Sequence, residues 1–489
     1  MSEPALGRRA ARGAAITIGA QAARILIQVV SVVALARLLT PHDYGLVAMV
    51  VAVIGIGEIF RDFGLSSAAI QAPTLSRGQR DNLFWINSGI GLALAAAVFA
   101  GSGLLALVYD HAELVAIGHV LSLTFLLTGL TTQYRAGLVR DLRFVSLARA
   151  DVAAPAVALV VSIGAALLGW SYWALVAGQL AQALVQLVML AVSGRWLPGL
   201  PKRGEPMRGF VKFGWNLVAS QLVGYLSNNL DSVIIGRLFG ATSLGIYNRA
   251  FQLLMTPLSQ IRSPLTTVAL PVLSRLSDDT RRFGDYVARG QLALGYTLVA
   301  GLGIAVSASE PITRLFLGEQ WTGVAPILRL LAVAGIFQTL AFVGYWVYVA
   351  RGLTGALFRY SLVSAAIKVV CIVGGSFFGV VGIAAGYAIA PAVSWPISLW
   401  WLSSRTTIPT RRLYAGALRI LALVVVAAAT SSVCAYFAAA WGSVAALGAA
   451  TLCTVAVYAG AAWLVPPVRR DVARVVEMVR MIRTARPRG

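Results

Sequence analysis

Charged side chains lie inside several apolar segments of this chain, where their type and spacing could do chemistry. Glu58, Arg61 and Asp62 are spaced i, i+3 and i+4, so a helix would place all three on one face. Such a face could bind an anion on the arginine while a carboxylate takes up a proton or a cation. The alternative, which the sequence leaves open, is a self-neutralising cluster that only stiffens the helix.

Further cations lie deep in apolar segments. They are Arg24, Arg249, Arg262 and Lys368. A charge at the bilayer centre costs about 2.5–3.5 kcal/mol on insertion scales, so cations that faced lipid would be expensive. We therefore predict that these side chains, together with Arg61, face a hydrated cavity and bind substrate. Arg262 lies between Pro257 and Pro264, and bonding to carbonyls freed by a helix kink is an equal alternative for it.

A second polar group lies in one apolar segment and consists of Asn228, Asn229 and Asp231. The sequence predicts that the two asparagines contact substrate, and that Asp231 is an ion-coupling candidate in addition to Glu58 and Asp62. Hydrogen bonding between helices is the simpler alternative for all three residues of the group.

The sequence lacks the motifs that a metal site or a nucleotide-binding site would need. The three histidines, His42, His111 and His119, are scattered and form no HExxH or Cys/His cluster, so no metal site is predicted. None of the three lysines follows a glycine, which excludes a Walker A motif in this chain. We predict a protein that is not an enzyme and needs no cofactor beyond a coupling proton or sodium ion.

The composition indicates the elements that position these charges. Of the 489 residues 58% are hydrophobic and 12% are charged, whereas a soluble protein has about 25% charged residues. Apolar runs of about 20 residues, enough to cross a bilayer, follow one another along the chain. The sequence predicts an all-α polytopic membrane protein with about fourteen transmembrane helices. The predicted spans are 14–39, 44–70, 82–108, 114–135, 150–168, 171–193, 211–236, 243–270, 288–308, 324–350, 357–377, 381–402, 413–438 and 443–465.

The basic residues indicate the orientation of these helices. The net charge is +22, and lysine and arginine are concentrated in alternate loops, while the opposite loops contain only Arg37, Arg237 and Arg314. Since basic loops stay in the cytoplasm, both termini are predicted there, and the positive charge is assigned to the membrane with no nucleic-acid partner. Residues 466–489 are predicted to form a basic amphipathic helix on the anionic inner leaflet, and docking to a partner is the alternative.

An internal repeat at an offset of 200 residues divides the chain. The identities are Gln21/Gln221, Leu26/Leu226, Val33/Val233, Arg37/Arg237, Leu38/Leu238 and Gly45/Gly245. Because an even number of helices separates the copies, the repeats run parallel through the membrane. The predicted divisions are an N-lobe at 1–200, a C-lobe at 201–405, two extra helices at 406–465 and a tail at 466–489.

The repeated polar corner itself is predicted to be structural. Arg37 and Arg237 each end a helix, where a cation meets the negative end of the helix dipole. In the first copy Thr40 is predicted to cap the next helix, with Pro41 in its first turn and Asp43 at its third position. The second copy is predicted to make the corresponding turn with Gly240 and Thr242.

Four sequence stretches are similar to those of a known family. They are LARLLTPHDYGLVAM (Leu35–Met49), RDFGLSSAAIQ (Arg61–Gln71), DNLFWIN (Asp81–Asn87) and GIYNRAFQLLMTPLSQIRSPLTTVALPVLSRL (Gly245–Leu276). The chain resembles the Wzx-type polysaccharide flippases, particularly their colanic-acid-exporter-like branch. The resemblance implies the MOP (multidrug/oligosaccharidyl-lipid/polysaccharide) exporter fold, with two six-helix lobes around a cavity, two extra helices and alternating access.

The same resemblance implies the cargo and the partners. The cargo would be a polyprenyl-diphosphate-linked oligosaccharide repeat unit, moved from the cytoplasmic to the periplasmic leaflet of a bacterial inner membrane for exopolysaccharide or lipopolysaccharide synthesis. Membrane lipids, a polysaccharide polymerase and chain-length or export proteins are the expected partners. One alternative is a MATE-like ion-coupled antiporter of small molecules, although export of organic cations would favour an acidic cavity. A membrane glycan polymerase is the alternative from another class, but it would need a large extramembrane loop or an acidic donor-sugar site.

Overall fold

Long helices make up the regular structure of the described part of the chain. The computed structural model describes residues 3–62, 65, 69, 75–202, 204, 208–406 and 408–484, and every regular element within them is helical. The first six helices are α1 (Glu3–Leu38), α2 (Pro41–Asp62), α3 (Arg77–Tyr109), α4 (Glu113–Arg140), α5 (Phe144–Leu167) and α6 (Trp173–Gly194). Residues 63–64, 66–68 and 70–74 lie outside the described residues, and those up to residue 71 belong to the predicted second span or to the Arg61–Gln71 stretch.

A single residue divides the long helical segment Arg208–Arg275 into two helices. Gly240 has φ 79° and ψ 179°, which a residue with a side chain rarely adopts. We name the two parts α7 (208–239) and α8 (241–275), and each exceeds the roughly 20 residues that cross a bilayer. The predicted turn at Gly240 is confirmed.

Seven further helices follow. They are α9 (Thr280–Ser307, with a π-helical turn at Gly295–Val299), α10 (Val324–Ala350), α11 (Thr354–Ser376), α12 (Gly379–Ser403), α13 (Thr410–Ala438), α14 (Ser443–Leu464) and α15 (Pro466–Thr484). A short helix, Ser309–Phe316, lies between α9 and α10. The predicted tail helix is therefore present as α15.

The number of helices agrees with the sequence prediction. By length and composition, twelve helices of the described residues can cross a membrane, and α7 and α8 are also long enough to do so. Some predicted spans were too short: α4 continues to Arg140, α5 begins at Phe144 and α9 begins at Thr280. The reason is that hydrogen-bonded helical turns continue past the end of the apolar run, into segments that contain charged residues.

Two compact units divide the chain. The first is Met1–Asn248 and the second is Arg249–Gly489. These units group residues by contact and are not the predicted lobes, whose division near residue 200 stays a prediction.

The corner between α1 and α2 has the predicted cap. Thr40 donates its N–H and its hydroxyl to Oδ2 of Asp43 at 2.9 and 2.7 Å, and the Asp43 N–H donates back to the Thr40 hydroxyl at 3.3 Å. The hydroxyl of Ser171 donates to the other carboxylate oxygen. Asp43 is buried, so these bonds compensate the loss of its hydration and fix the start of α2.

The repeated glycines make a reciprocal contact in the first unit. A Cβ atom at Gly45 would overlap the carbonyl oxygen of Ala241, and a Cβ at Gly245 would overlap the carbonyl oxygen of Pro41. Positions 41 and 241 correspond in the repeat, as do positions 45 and 245. The polar corner is therefore repeated because the two copies pack against each other by equivalent residues, at a distance that only glycine allows.

The Asp81–Asn87 stretch also has a structural role. The side-chain amide of Asn82 donates to the carbonyl of Lys202 and accepts from its N–H, both at 2.8 Å. The indole N–H of Trp85 donates to the carbonyl of Gly199 at 2.8 Å. These side chains of α3 therefore hold the irregular segment that follows α6.

Candidate functional site

The first unit contains a polar cavity among five helices. Its volume is about 510 Å³, and its walls come from α1, α2, α4, α5 and α6. The charged and polar lining residues are Arg24, Glu58, Arg61, Thr128, Thr131, Thr132, Arg135, Asp151, Gln182 and Gln186. We call it the N-terminal cavity. Three of the predicted site residues, Arg24, Glu58 and Arg61, therefore lie together.

Arg61 links two helices across one wall of the cavity. Its guanidinium lies 2.8 Å from the Glu58 carboxylate one turn earlier in α2, and it donates to the Thr132 hydroxyl of α4 at 3.3 Å. The two charged side chains are 23% and 36% exposed, so the pair is partly hydrated. The cluster therefore pairs within the helix and also lines the cavity. A role in binding substrate or an ion and a purely structural role both stay open for it.

A second ion pair joins α4 to α5. Arg135 donates two parallel hydrogen bonds to the Asp151 carboxylate, at 2.7 and 2.8 Å. The side-chain amide of Gln186 in α6 donates to the same carboxylate at 3.4 Å. Two-pronged arginine–carboxylate pairs are strong and directional, so this group of three fixes the relative positions of α4, α5 and α6 at the cavity.

Arg24 differs from the other two arginines of the cavity. Its side chain is exposed, and among the described residues it makes no ion pair or hydrogen bond. The lining has three arginines and two carboxylates, so its formal charge is +1. Since each carboxylate already pairs with another arginine, this excess charge resides on Arg24.

The arrangement suits an anion that carries hydroxyl groups. Guanidinium groups bind phosphate through two parallel N–H donors, and such charge-assisted bonds are about twice as strong as neutral ones. Thr131, Gln182 and Gln186 add neutral donors and acceptors to the same lining. The cavity therefore combines one available cation, two exchangeable ion pairs and several uncharged hydrogen-bonding groups.

The predicted polar group of α7 does not line this cavity. Asp231 is 1% exposed and accepts hydrogen bonds from the Tyr247 hydroxyl at 2.5 Å and from the Ser232 N–H at 2.9 Å. Asn229 donates to the carbonyl of Tyr225, one turn earlier in its own helix, at 3.0 Å. Asn228 is exposed. The side chain of Asp62 lies outside the described residues.

The remaining predicted cations belong to the second unit. Arg262 is 8% exposed and donates to the carbonyl of Gly335 at 2.8 Å and to the hydroxyl of Thr339. The alternative in which it bonds carbonyls freed by a kink in α8 is wrong, because its carbonyl partner belongs to α10. Arg249 is buried, and the Lys368 ammonium lies 4.7 Å from the ring centre of Tyr387. Their assignment to substrate stays a prediction.

Sequence reasoning missed Arg135 and Asp151, together with the threonines and glutamines of the lining. The predicted spans ended at 135 and began at 150, which placed both charges at span edges. A signal was present, since the two residues lie roughly two turns on either side of the bend at 141–143 and carry opposite charges. In an antiparallel pair of helices, residues equally far from the bend face each other.

Comparison with known proteins identifies the family to which this chain belongs. Over residues 34–326, more than half of the chain, the sequence matches the family described as polysaccharide biosynthesis protein. The chain belongs to this family. The resemblance found in the sequence stretches of α2, α3 and α8 is thereby confirmed for the polysaccharide biosynthesis family as a whole.

A relative and two solved structures extend this finding. The lipopolysaccharide biosynthesis protein WzxC of Escherichia coli (strain K12) is 25% identical over 373 residues, 75% of each chain. The family member has the fold of the lipid II flippase MurJ in an inward closed conformation, with TM-score 0.68, 15% identity and coverage of 91% of this chain and 97% of that one. An inward-facing MATE multidrug resistance transporter of the MOP superfamily gives TM-score 0.58 and 16% identity, covering 81% of this chain and 96% of that one. The predicted MOP fold is confirmed.

Proposed function

We propose that this family member is a flippase that moves a polyprenyl-diphosphate-linked oligosaccharide from the inner to the outer leaflet of the bacterial inner membrane. The observation that carries the proposal is the N-terminal cavity, where Arg24 lies unpaired among the described residues beside two arginine–carboxylate pairs. The family, the name of WzxC and the fold of MurJ support the same class of cargo.

The diphosphate binds by replacing carboxylates in the existing ion pairs. Arg24 makes the first contact, because no described carboxylate competes for it. Arg61 or Arg135 then exchanges Glu58 or Asp151 for a phosphate oxygen. Such an exchange keeps Arg61 or Arg135 paired, and the displaced carboxylate, which is 36% or 23% exposed, is hydrated by water in the cavity or takes up a proton.

The sugars contact the neutral part of the lining. Thr131, Gln182 and Gln186 can each donate or accept hydrogen bonds to hydroxyl groups. These groups recognise hydroxyls in general and not one stereochemistry, so the cavity favours a polar, neutral glycan over an apolar cargo. We assign polymerase and chain-length or export proteins as the partners that receive it.

Access to the cargo alternates between the two sides of the membrane. The distribution of lysine and arginine supports placing both termini in the cytoplasm and the corners at Arg37 and Arg237 outside. The reciprocal contact of Gly45 and Gly245 then lies at the outer end, and its separation would open the exit. Glu58, as the exchangeable partner of Arg61, is the first candidate for a coupling proton or sodium ion.

Transport by purified protein in vesicles tests the proposal. We expect Arg24→Ala to slow flipping of a fluorescent polyprenyl-diphosphate oligosaccharide by about 30-fold, the value of one charge-assisted hydrogen bond. Arg24→Lys should retain part of the rate, since the charge remains but the two-pronged geometry is lost. Arg359→Ala, on the exposed face of α11, is the matched control and should transport normally.

Two outcomes contradict the proposal. Normal flipping by Arg24→Ala would remove the N-terminal cavity from the transport route. Wild-type vesicles that export organic cations but flip no lipid-linked sugar would instead support a small-molecule antiporter.

A further inference from the structure

The second unit contains another basic cavity, at its C-terminal helix. The helix α15 is held there by Asp471, which is 2% exposed although it is charged. Arg419 of α13 donates from two guanidinium nitrogens to Oδ2 of Asp471, both at 2.8 Å. Val468, one turn earlier, is buried as well. The basic helix predicted to lie on the inner leaflet thus docks on its own chain along at least one face.

The space beside this anchor is a cavity of about 570 Å³ among α9, α13 and α15. Its charged lining consists of Arg289, Arg412, Arg419, Arg470, Arg474, Asp285 and Asp471. Five arginines against two aspartates give a formal charge of +3. We call it the C-terminal cavity.

Both aspartates are already engaged by arginine. Asp285 lies 3.0 Å from Arg412, while Asp471 pairs with Arg419 and has Arg474 at 4.0 Å. The other two arginines have no carboxylate partner among the described residues. Arg470 donates to the carbonyl of Pro466 in its own helix at 3.4 Å, and Arg289 lines the cavity from α9. An anion with two negative charges would offset the two arginines that have no carboxylate partner.

The position of the cavity selects an anion that belongs to a lipid. Arg412 lies in the first turn and Asp285 in the second turn of two membrane-spanning helices, so this end of the cavity is at headgroup depth. Leu418, adjacent to Arg419, is 62% exposed, and Leu464, just before α15, is 68% exposed. Apolar surface for acyl or prenyl chains thus lies within about two turns of the arginines along the chain. A soluble phosphate would make no use of it.

We propose that the C-terminal cavity binds the phosphate headgroup of an anionic lipid, with Arg289 and Arg470 as its principal contacts. Basic pockets between membrane helices at headgroup depth have the charge and geometry for such lipids. Two lipids offer this chemistry, a resident phospholipid such as cardiolipin and a polyprenyl diphosphate. The bound headgroup would link α9 to α15 and complete the attachment that Asp471 begins.

The test compares two double variants of the full chain. Arg289→Gln with Arg470→Gln removes the two cavity arginines that lack a carboxylate partner. Arg281→Gln with Arg469→Gln removes exposed arginines from the same two helices outside the lining. Each protein is purified in neutral detergent and titrated with cardiolipin, and the bound lipid is counted by native mass spectrometry.

We expect the cavity pair to weaken cardiolipin binding at least about tenfold and the control pair to change it less than about twofold. Equal loss in the two pairs would mean unspecific attraction to a basic surface and would overturn the site, as would no loss in either. The single variant Arg470→Gln, with an expected loss of a few-fold, replaces the cavity pair if that pair does not fold.

Competition identifies the source of the phosphate. Polyprenyl diphosphate is added to protein that already carries cardiolipin. If it binds more tightly than cardiolipin and displaces it, the site is a second contact for cargo. Weaker competition would make it a site for resident phospholipid. The Arg24→Ala variant should bind cardiolipin normally in either case, so the failure of this proposal and the failure of the transport proposal are separate results.

Discussion

The N-terminal and C-terminal cavities have similar sizes, but the ion pairs in their walls differ in how far they are exposed. They measure about 510 and 570 Å³, and each contains two carboxylates paired with arginine. In the N-terminal cavity both carboxylates are 23–36% exposed. In the C-terminal cavity Asp285 is 41% exposed, but Asp471 is nearly inaccessible. Exposed pairs can exchange partners at low cost, while a buried pair holds its elements together. The first arrangement suits a passing ligand and the second a permanent one.

The largest effect should come from breaking the buried pair. We expect Asp471→Ala to destabilise the protein by about 2–3 kcal/mol, because Arg419 loses its counter-ion but stays about one third exposed. Thermal unfolding in detergent measures the loss, and faster trypsin cleavage within α15 would locate it. Asp278→Ala, at an exposed aspartate before α9, is the control and should unfold like the wild type. Equal stability of the two variants would remove the distinction between the cavities.

A smaller effect is expected from the matching change in the N-terminal cavity. Asp151→Asn should cost about 1 kcal/mol, since Arg135 is 41% exposed and water replaces part of the lost interaction. The freed guanidinium should raise the affinity for inorganic pyrophosphate a few-fold, measured by calorimetry on the purified protein. Asp151→Glu keeps the charge and should leave that affinity unchanged. A stability loss as large as that of Asp471→Ala would contradict the view that this pair is exchangeable.

The smallest change in stability should come from Glu58→Gln. Its pair with Arg61 is partly hydrated and lies within one helix, so we expect a loss below about 0.5 kcal/mol. Flipping in vesicles, however, should lose its response to an imposed proton or sodium gradient. A gradient response equal to that of the wild type would remove Glu58 as the coupling group.

The sequence was sufficient for the helices and for part of the site. Long apolar runs and the asymmetry of arginine predicted fourteen spans, because bilayer thickness sets their length. Arg24, Glu58 and Arg61 were found because a charge inside an apolar run is costly and therefore conspicuous. Arg135 and Asp151 were missed because they lie near helix ends, where charges are common and carry little signal.

Contacts between helices that are distant in the chain could not be predicted from the sequence. Nothing in the order of residues around Pro257 and Pro264 indicates that Arg262 donates to the carbonyl of Gly335. The tail helix was predicted by its arginines and valines, but its anchoring by Asp471 depends on a residue that reads as an ordinary surface acid. Such pairings depend on how helices cross, which local periodicity does not specify.

The mutual packing of Gly45 and Gly245 resembles the interface of a homodimer whose two subunits have been fused into one chain. In an isologous interface each patch meets its own equivalent, so a bulkier residue in one copy collides with the backbone of the other. A duplicated gene usually frees its halves to diverge. Here Gly45 and Gly245 must both stay glycine, whereas positions 41 and 241, which meet them through backbone carbonyls, already differ as Pro41 and Ala241. The two glycines should therefore be the slowest part of this corner to lose their ancestral likeness.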